Sequence, residues 1–256
     1  MGQYIKTDKI RIGELGFGKH GIARKELLKG EVTGVETNYY IVGKDSIYHA
    51  HMEGKKIRVV FIIKGIGYIK TGDSIFTLSE SAVFCPPANT SFIVRATTDN
   101  VEFLEILYEL TQEELQELCG SGNKDSYFMN YSACSTYKEA IKSEKTVNRT
   151  LIPEGIAPRF CMGSVETTGP DIVGAHVHSM LEQFFYGLSD NYCYIRADDS
   201  EILFDGNALL HIPLGATHGV RVEEGHTLHY LWIDLFKSND MSYIHESHIQ
   251  HHGEER

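Results

Sequence analysis

A chain of 256 residues that is 42% hydrophobic and 23% charged holds enough apolar material for one large domain or two small ones, which excludes disorder over most of its length. Lys and Arg number 24 against 35 Asp and Glu, a formal net charge of −11; such a surface repels phosphate backbones, so nucleic acid is not an expected partner. No apolar run approaches the roughly 20 residues that cross a bilayer, so no membrane partner is expected.

The opening residues, Met1 to Lys6, carry no apolar signal core. The five cysteines (Cys85, Cys119, Cys134, Cys161, Cys193) are odd in number, widely spread and without a CxxC pair. They read as reduced thiols, and the expected location is cytoplasmic. From Ile57 to Ala96 the chain alternates Val/Ile/Phe-rich runs with Gly, Asp, Asn and Pro turns, the texture of short strands. Thr111 followed three residues later by Glu114 is a capping box, predicting a helix that ends at the Gly120–Asn123 cluster. Ser135 to Glu144 reads as a second, weaker helical segment. A second strand-rich stretch begins near Arg159 and runs to Phe236. Residues 243–256 form a polar tail with His245, His248, His251 and His252. The expected organisation is a β domain over 1–110, a helical connector over 111–148, a second β domain over 149–242 and the tail over 243–256. Strands at such even spacing favour sandwiches or barrels over βαβ units.

The two β stretches read as copies of one unit. Each has an HxH, then an aliphatic or aromatic strand ending in Gly, then a Pro-containing turn. These are His49/His51, Phe61–Gly65 and Pro86–Ser91 in the first copy, and His176/His178, Phe184–Gly187 and Pro213–His218 in the second. If 175–187 is one strand, His176, His178 and Glu182 share parity and point to one side. His218 arrives just after the Pro213-x-Gly215 turn. Three imidazoles and a carboxylate can surround a divalent transition metal, and nitrogen and oxygen donors suit Fe, Mn, Ni, Co or Zn alike. HxH alone is a weak signal; both motifs in order, with the acid between, are specific.

Gly174-x-His176-x-His178-x3-Glu182 followed by Pro213-x-Gly215-x2-His218 resembles the two signature motifs of the cupin superfamily. The likeness is good over residues 159–236 and weaker over 45–110, so the chain resembles a bicupin. The resemblance implies an all-β protein of two tandem double-stranded β-helix (cupin or jelly-roll) barrels joined by a short helical connector. It also implies one metal per chain, held by His176, His178, Glu182 and His218. Gly187 follows Glu182 sooner than in the family pattern, and Val222 stands where Asn is frequent. In the first copy Arg58 falls at the acid position and Ser91 at the last histidine, and an arginine is electrostatically incompatible with a cation site. The N-terminal barrel is therefore read as metal-free.

His229 shares parity with Leu231, Ile233 and Leu235, which suits either a core histidine or a proton-transfer group in the pocket. Tyr186 could lend a hydroxyl to the same pocket. The expected function is metal-dependent chemistry on a small polar metabolite, a sugar derivative or carboxylic acid. Lewis-acid isomerisation or epimerisation and Fe-dependent dioxygenation use the same ligands. A non-catalytic sensor or storage protein with a structural metal is the alternative. A homodimer is the expected assembly.

Overall fold

The computed structural model describes residues 5–52, 54–120 and 125–238. The chain forms two β units, one of residues 10–134 and one built from residues 135 onward together with the first strand, Lys6–Lys9.

In the first unit a six-stranded sheet runs in the order Tyr127–Asn130, Ala82–Cys85, Lys56–Lys64, Val101–Glu109, Val35–Val42, Ile22–Leu27. A four-stranded sheet of Ile47–Ala50, Phe92–Ala96, Gly67–Thr71 and Ser74–Leu78 closes the other side. The second unit repeats the plan. Its seven-stranded sheet runs Lys6–Lys9, Ala208–Ile212, Leu181–Gly187, Thr227–Phe236, Phe160–Thr168, Val147–Ala157, Ser135–Tyr137. Its four-stranded sheet runs Asp171–His176, His218–Val222, Tyr192–Ala197, Ser200–Asp205. All these pairings are antiparallel.

Alternation along each strand sends every second side chain inward. Phe185, Leu210, Ile212 and Tyr230 from the larger sheet meet Cys193, Ile195, Phe204 and Val220 from the smaller one. In the first unit Val60, Ile62, Phe84 and Phe103 meet Ile69, Leu78, Phe92 and Val94. Each core is thus the space between two sheets, where burial of apolar surface drives closure. No helix among the described residues is long and apolar enough to cross a membrane.

Two expectations are corrected. The helix Gln112–Gly120 forms with a reciprocal cap: the Thr111 N–H donates to the Glu114 carboxylate at 2.8 Å, and the Glu114 N–H donates to Thr111 Oγ1 at 3.2 Å. Among the other described residues of the 111–148 connector the only helical piece is the short 3-10 turn Tyr131–Ala133. Tyr127–Asn130 joins the first unit's sheet, and Ser135–Tyr137 pairs with Asn148–Thr150 as an edge strand of the second. Weak local helix preference there yields to a waiting sheet edge. The expected 1–110 boundary moves too, because Lys6–Lys9 pairs with Ala208–His211 of the later unit. Lys9 anchors it through Asp205 at 2.5 Å and the Gly206 carbonyl at 2.6 Å. The tail histidines at 245, 248, 251 and 252 lie outside the described residues. Cys85, Cys134, Cys161 and Cys193 are buried.

Candidate metal centre

His176 ends the strand Asp171–His176, and His218 opens the strand His218–Val222; the two are direct partners across the ladder. His178 lies two residues on, in the bend that leads to Leu181–Gly187. Its carbonyl accepts from the Gly215 N–H at 3.1 Å, which ties that bend to the Pro213–Ala216 turn. The three ring centroids are 4.3, 5.0 and 5.5 Å apart, and one nitrogen from each ring falls within 4.8 Å of the others. Among the described residues this is the cluster able to grip a metal ion.

The tautomers are set by the backbone. His176 Nδ1–H donates to the Gly174 carbonyl at 2.9 Å, and His218 Nδ1–H donates to the Ala216 carbonyl at 3.1 Å. Each bond leaves Nε2 as the bare lone pair, the form a metal needs. His218 Nε2 is buried and without a hydrogen-bond partner. Burial, and then the neighbouring imidazoles, hold His218 well below its ordinary pKa; burial above all lowers His176 to about 4. Both rings are therefore neutral at physiological pH. A buried polar atom with nothing to bind is costly, and a divalent cation is the partner that fits His218 Nε2.

His218 is buried beside His176 and His178, and those two of the three rings line a cavity of about 670 Å³. Val173, Phe185, Tyr230 and Ile152 form its apolar wall; Gln183, Asp234, Glu139 and Lys142 bring polar groups into it. Residues 137–142 cross the cavity edge as a strap. The Gly174 N–H donates to the Ile141 carbonyl at 2.9 Å, and Lys142 bridges to Val173. Lys142 is ion-paired with Glu139 at 2.8 Å and donates to Asn148 Oδ1 at 2.8 Å. Burial lowers the Lys142 pKa, against the pull of Glu139. The Tyr137 hydroxyl is held by Glu139 and Trp232, and burial raises its pKa. Trp232 can lie there because residue 163 is glycine: a Cβ would stand 2.2 Å from the indole.

The structure brings His176, His178 and His218 together and leaves three expected site residues out. Glu182 is the main correction. Residues 175–187 are not one strand: the chain passes from the four-stranded sheet to the seven-stranded one between His176 and Leu181, and the bend resets the alternation. Glu182 consequently faces away from the cavity. Its Oε2 lies 3.1 Å from His211 Nε2 and its Oε1 lies 2.5 Å from Lys237 Nζ. The His211 hydrogen bond chiefly lowers its pKa to about 2. Tyr186 has Glu182's parity and is fully buried on the same outward face. His229 has Leu231's parity, opposite to the inward Tyr230, Trp232 and Asp234; its Nδ1 lies 3.0 Å from Asp190 Oδ1. Sequence reasoning missed Gln183, Asp234, Lys142 and Glu139. The only sign was that Glu182 and Gln183, adjacent polar residues opening a strand, must face opposite ways.

The first unit fills the corresponding space differently. Arg58 points inward from its strand, as Gln183 does, and pairs with the buried Glu105 at 2.8 Å. Tyr48 and Asn38 also donate to Glu105, at 2.9 and 3.3 Å. Arg58 further donates to the His51 carbonyl at 3.0 Å. His49 and His51 are both exposed. A guanidinium thus stands in the interior where the second unit presents the Gln183 amide.

No family model and no curated protein matches the sequence. Solved structures do. A protein from Pseudomonas aeruginosa described as glyoxylate-induced superposes with a TM-score of 0.71 at 9% identity, over 84% of this chain and 81% of its own. Oxalate decarboxylase from Lactobacillus farciminis, solved as a formate complex, gives 0.69 at 13% identity, over 93% and 87%. A cupin 2 conserved barrel domain protein from Leptotrichia buccalis gives 0.60 at 16%, over 91% and 96%. With two such barrels and a histidine tripod in the second, this chain has the bicupin fold.

Proposed function

We propose that the second barrel is a metal-dependent enzyme of isomerase or epimerase type, acting on a small oxygen-rich acid such as a hydroxy acid or uronate. One observation carries this reading: three imidazoles converge, two of them lining a 670 Å³ cavity that also holds a buried lysine and carboxylates. The bound divalent cation would supply Lewis-acid polarisation of a substrate carbonyl or hydroxyl. His176, His178 and His218 would hold it. Lys142 places the cavity's buried positive charge where a substrate carboxylate can share it with Glu139. Glu139, hydrogen-bonded to the Tyr137 hydroxyl, is placed to accept a proton and return it. Phe185, Tyr230, Ile152 and Val173 restrict water, which strengthens each polar contact inside. The names of two similar structures, an oxalate decarboxylase with formate and a glyoxylate-induced protein, agree with a small carboxylate as ligand.

The test pairs elemental analysis with an NMR screen of uronates, keto-sugars and hydroxy acids. The expected result is one transition-metal ion per chain, lost in the His176→Ala/His178→Ala variant with the fold retained, and metal-dependent conversion of one acid without oxygen uptake. A chain that binds no metal under replete conditions overturns the reading. Turnover that strictly requires O₂ replaces isomerisation by oxygenation.

A further inference from the structure

Three histidines leave a first-row divalent cation short of its usual four to six donors. The strand Leu181–Gly187 brings one more oxygen into the same cavity. Gln183 is 5% exposed, lines the cavity beside His176 and His178, and its Oε1 is a buried oxygen without a hydrogen-bond partner. Its other end is tied down. Gln183 stands directly opposite Asp234 in the antiparallel ladder, and Gln183 Nε2 donates to Asp234 Oδ1 at 2.8 Å. Asp234 is 2% exposed. A carboxylate accepts hydrogen bonds and does not donate them. It therefore selects the amide nitrogen and turns the carbonyl oxygen toward the cavity.

We infer that Gln183, not Glu182, is the fourth donor of a neutral ligand set, and that Asp234 is the positioning residue that aims its carbonyl oxygen at the cation. This rests on the metal reading above and deepens it. Three imidazoles and an amide carry no charge, so a divalent ion keeps its full charge, whereas a carboxylate donor would neutralise half of it. Such a centre favours anionic chelators, which makes a carboxylate the substrate group that meets the metal. The counter-charge stands one bond further out, on Asp234.

The experiment is titration of the chelator-stripped full chain with Mn(II) and Zn(II), followed by calorimetry and by the EPR signal of bound Mn(II). Gln183→Leu is expected to weaken binding by about 10–100-fold, with an unchanged circular dichroism spectrum. Asp234→Asn is expected to weaken it similarly, because an asparagine can donate to Oε1 and turn the amide nitrogen toward the cation. Gln183→Glu alone sets two carboxylates face to face. In the Gln183→Glu/Asp234→Asn double variant the hydrogen bond reforms with its direction reversed, and affinity recovers to the level of the unaltered chain or above. Loss through mere structural damage at Asp234 would not be rescued in this way. If the unaltered chain binds metal and Gln183→Leu binds it as tightly, the inference fails while the metal reading stands. A double variant no better than Asp234→Asn also overturns it. An unaltered chain that binds neither ion overturns both.

Discussion

Replacing Arg58 by Met removes the guanidinium from the first barrel while keeping most of the side-chain volume. Glu105, 1% exposed, then loses its 2.8 Å ion pair and keeps the Tyr48 hydroxyl and the Asn38 amide. Breaking a buried pair from one side costs about 3–5 kcal/mol. For a unit of this size that is a fall in Tm of roughly 10–20 °C. Burial, opposed by Arg58, already raises the Glu105 pKa, and losing the cation raises it further. A carboxyl whose folded pKa lies above its unfolded value favours the folded state at low pH and loses that contribution as pH rises through the folded pKa. The deficit of Arg58→Met is therefore largest at neutral and alkaline pH and shrinks on mild acidification. Arg58→Met/Glu105→Leu, which removes both charges, should recover most of the loss. Thermal unfolding followed by far-UV circular dichroism at several pH values measures all three. A loss under about 1 kcal/mol, or one that ignores pH, would refute the account of this interior as a cation-excluding ion pair.

Other outcomes follow from the second barrel. Glu182→Gln should leave metal affinity unchanged, since its carboxylate faces His211 and Lys237, and should cost about 1 kcal/mol in urea unfolding; metal loss on this change would return Glu182 to the ligand set. Gly163→Ala should push the indole of Trp232 out of its seat and cost about 1–3 kcal/mol; because the chain has 1 tryptophan, a shift in its fluorescence emission reports the displacement directly. Lys142→Met should weaken binding of oxalate or a uronate to the metal-loaded protein by about 10–100-fold, the worth of a charge-assisted hydrogen bond; unchanged affinity would remove Lys142 from ligand recognition. Without metal, His176 and His218 must stay neutral in the fold, so the stability of the stripped protein should fall as pH drops from the ordinary histidine range toward about 4.

Local chemistry carried much of this protein into view from the residues alone. Alternation and turn residues dictate the strands, the Thr111/Glu114 pair dictates a helix start, and the two HxH–turn repeats dictate a doubled β unit. His176, His178 and His218 were legible because each sits beside its own turn, where short-range spacing fixes position. Arg58 was legible as the point where the first copy departs from the second.

What the tertiary structure decided was phase and partnership. Strand parity holds only while the backbone stays in one sheet, and the bend between His176 and Leu181 changes sheets; that single break sends Glu182 outward and Gln183 inward. Asp234 reaches the cavity from 51 residues beyond Gln183, and Lys142 and Glu139 reach it on the strap, by pairings that no local pattern encodes. Lys6–Lys9 likewise belongs to the later barrel because an open edge at Ala208–Ile212 accepts it. Hydrogen bonds between distant strands are chosen by the whole folded arrangement, so which polar side chain joins the histidines at the cavity was written into the sheets, not into the spacing of the motif.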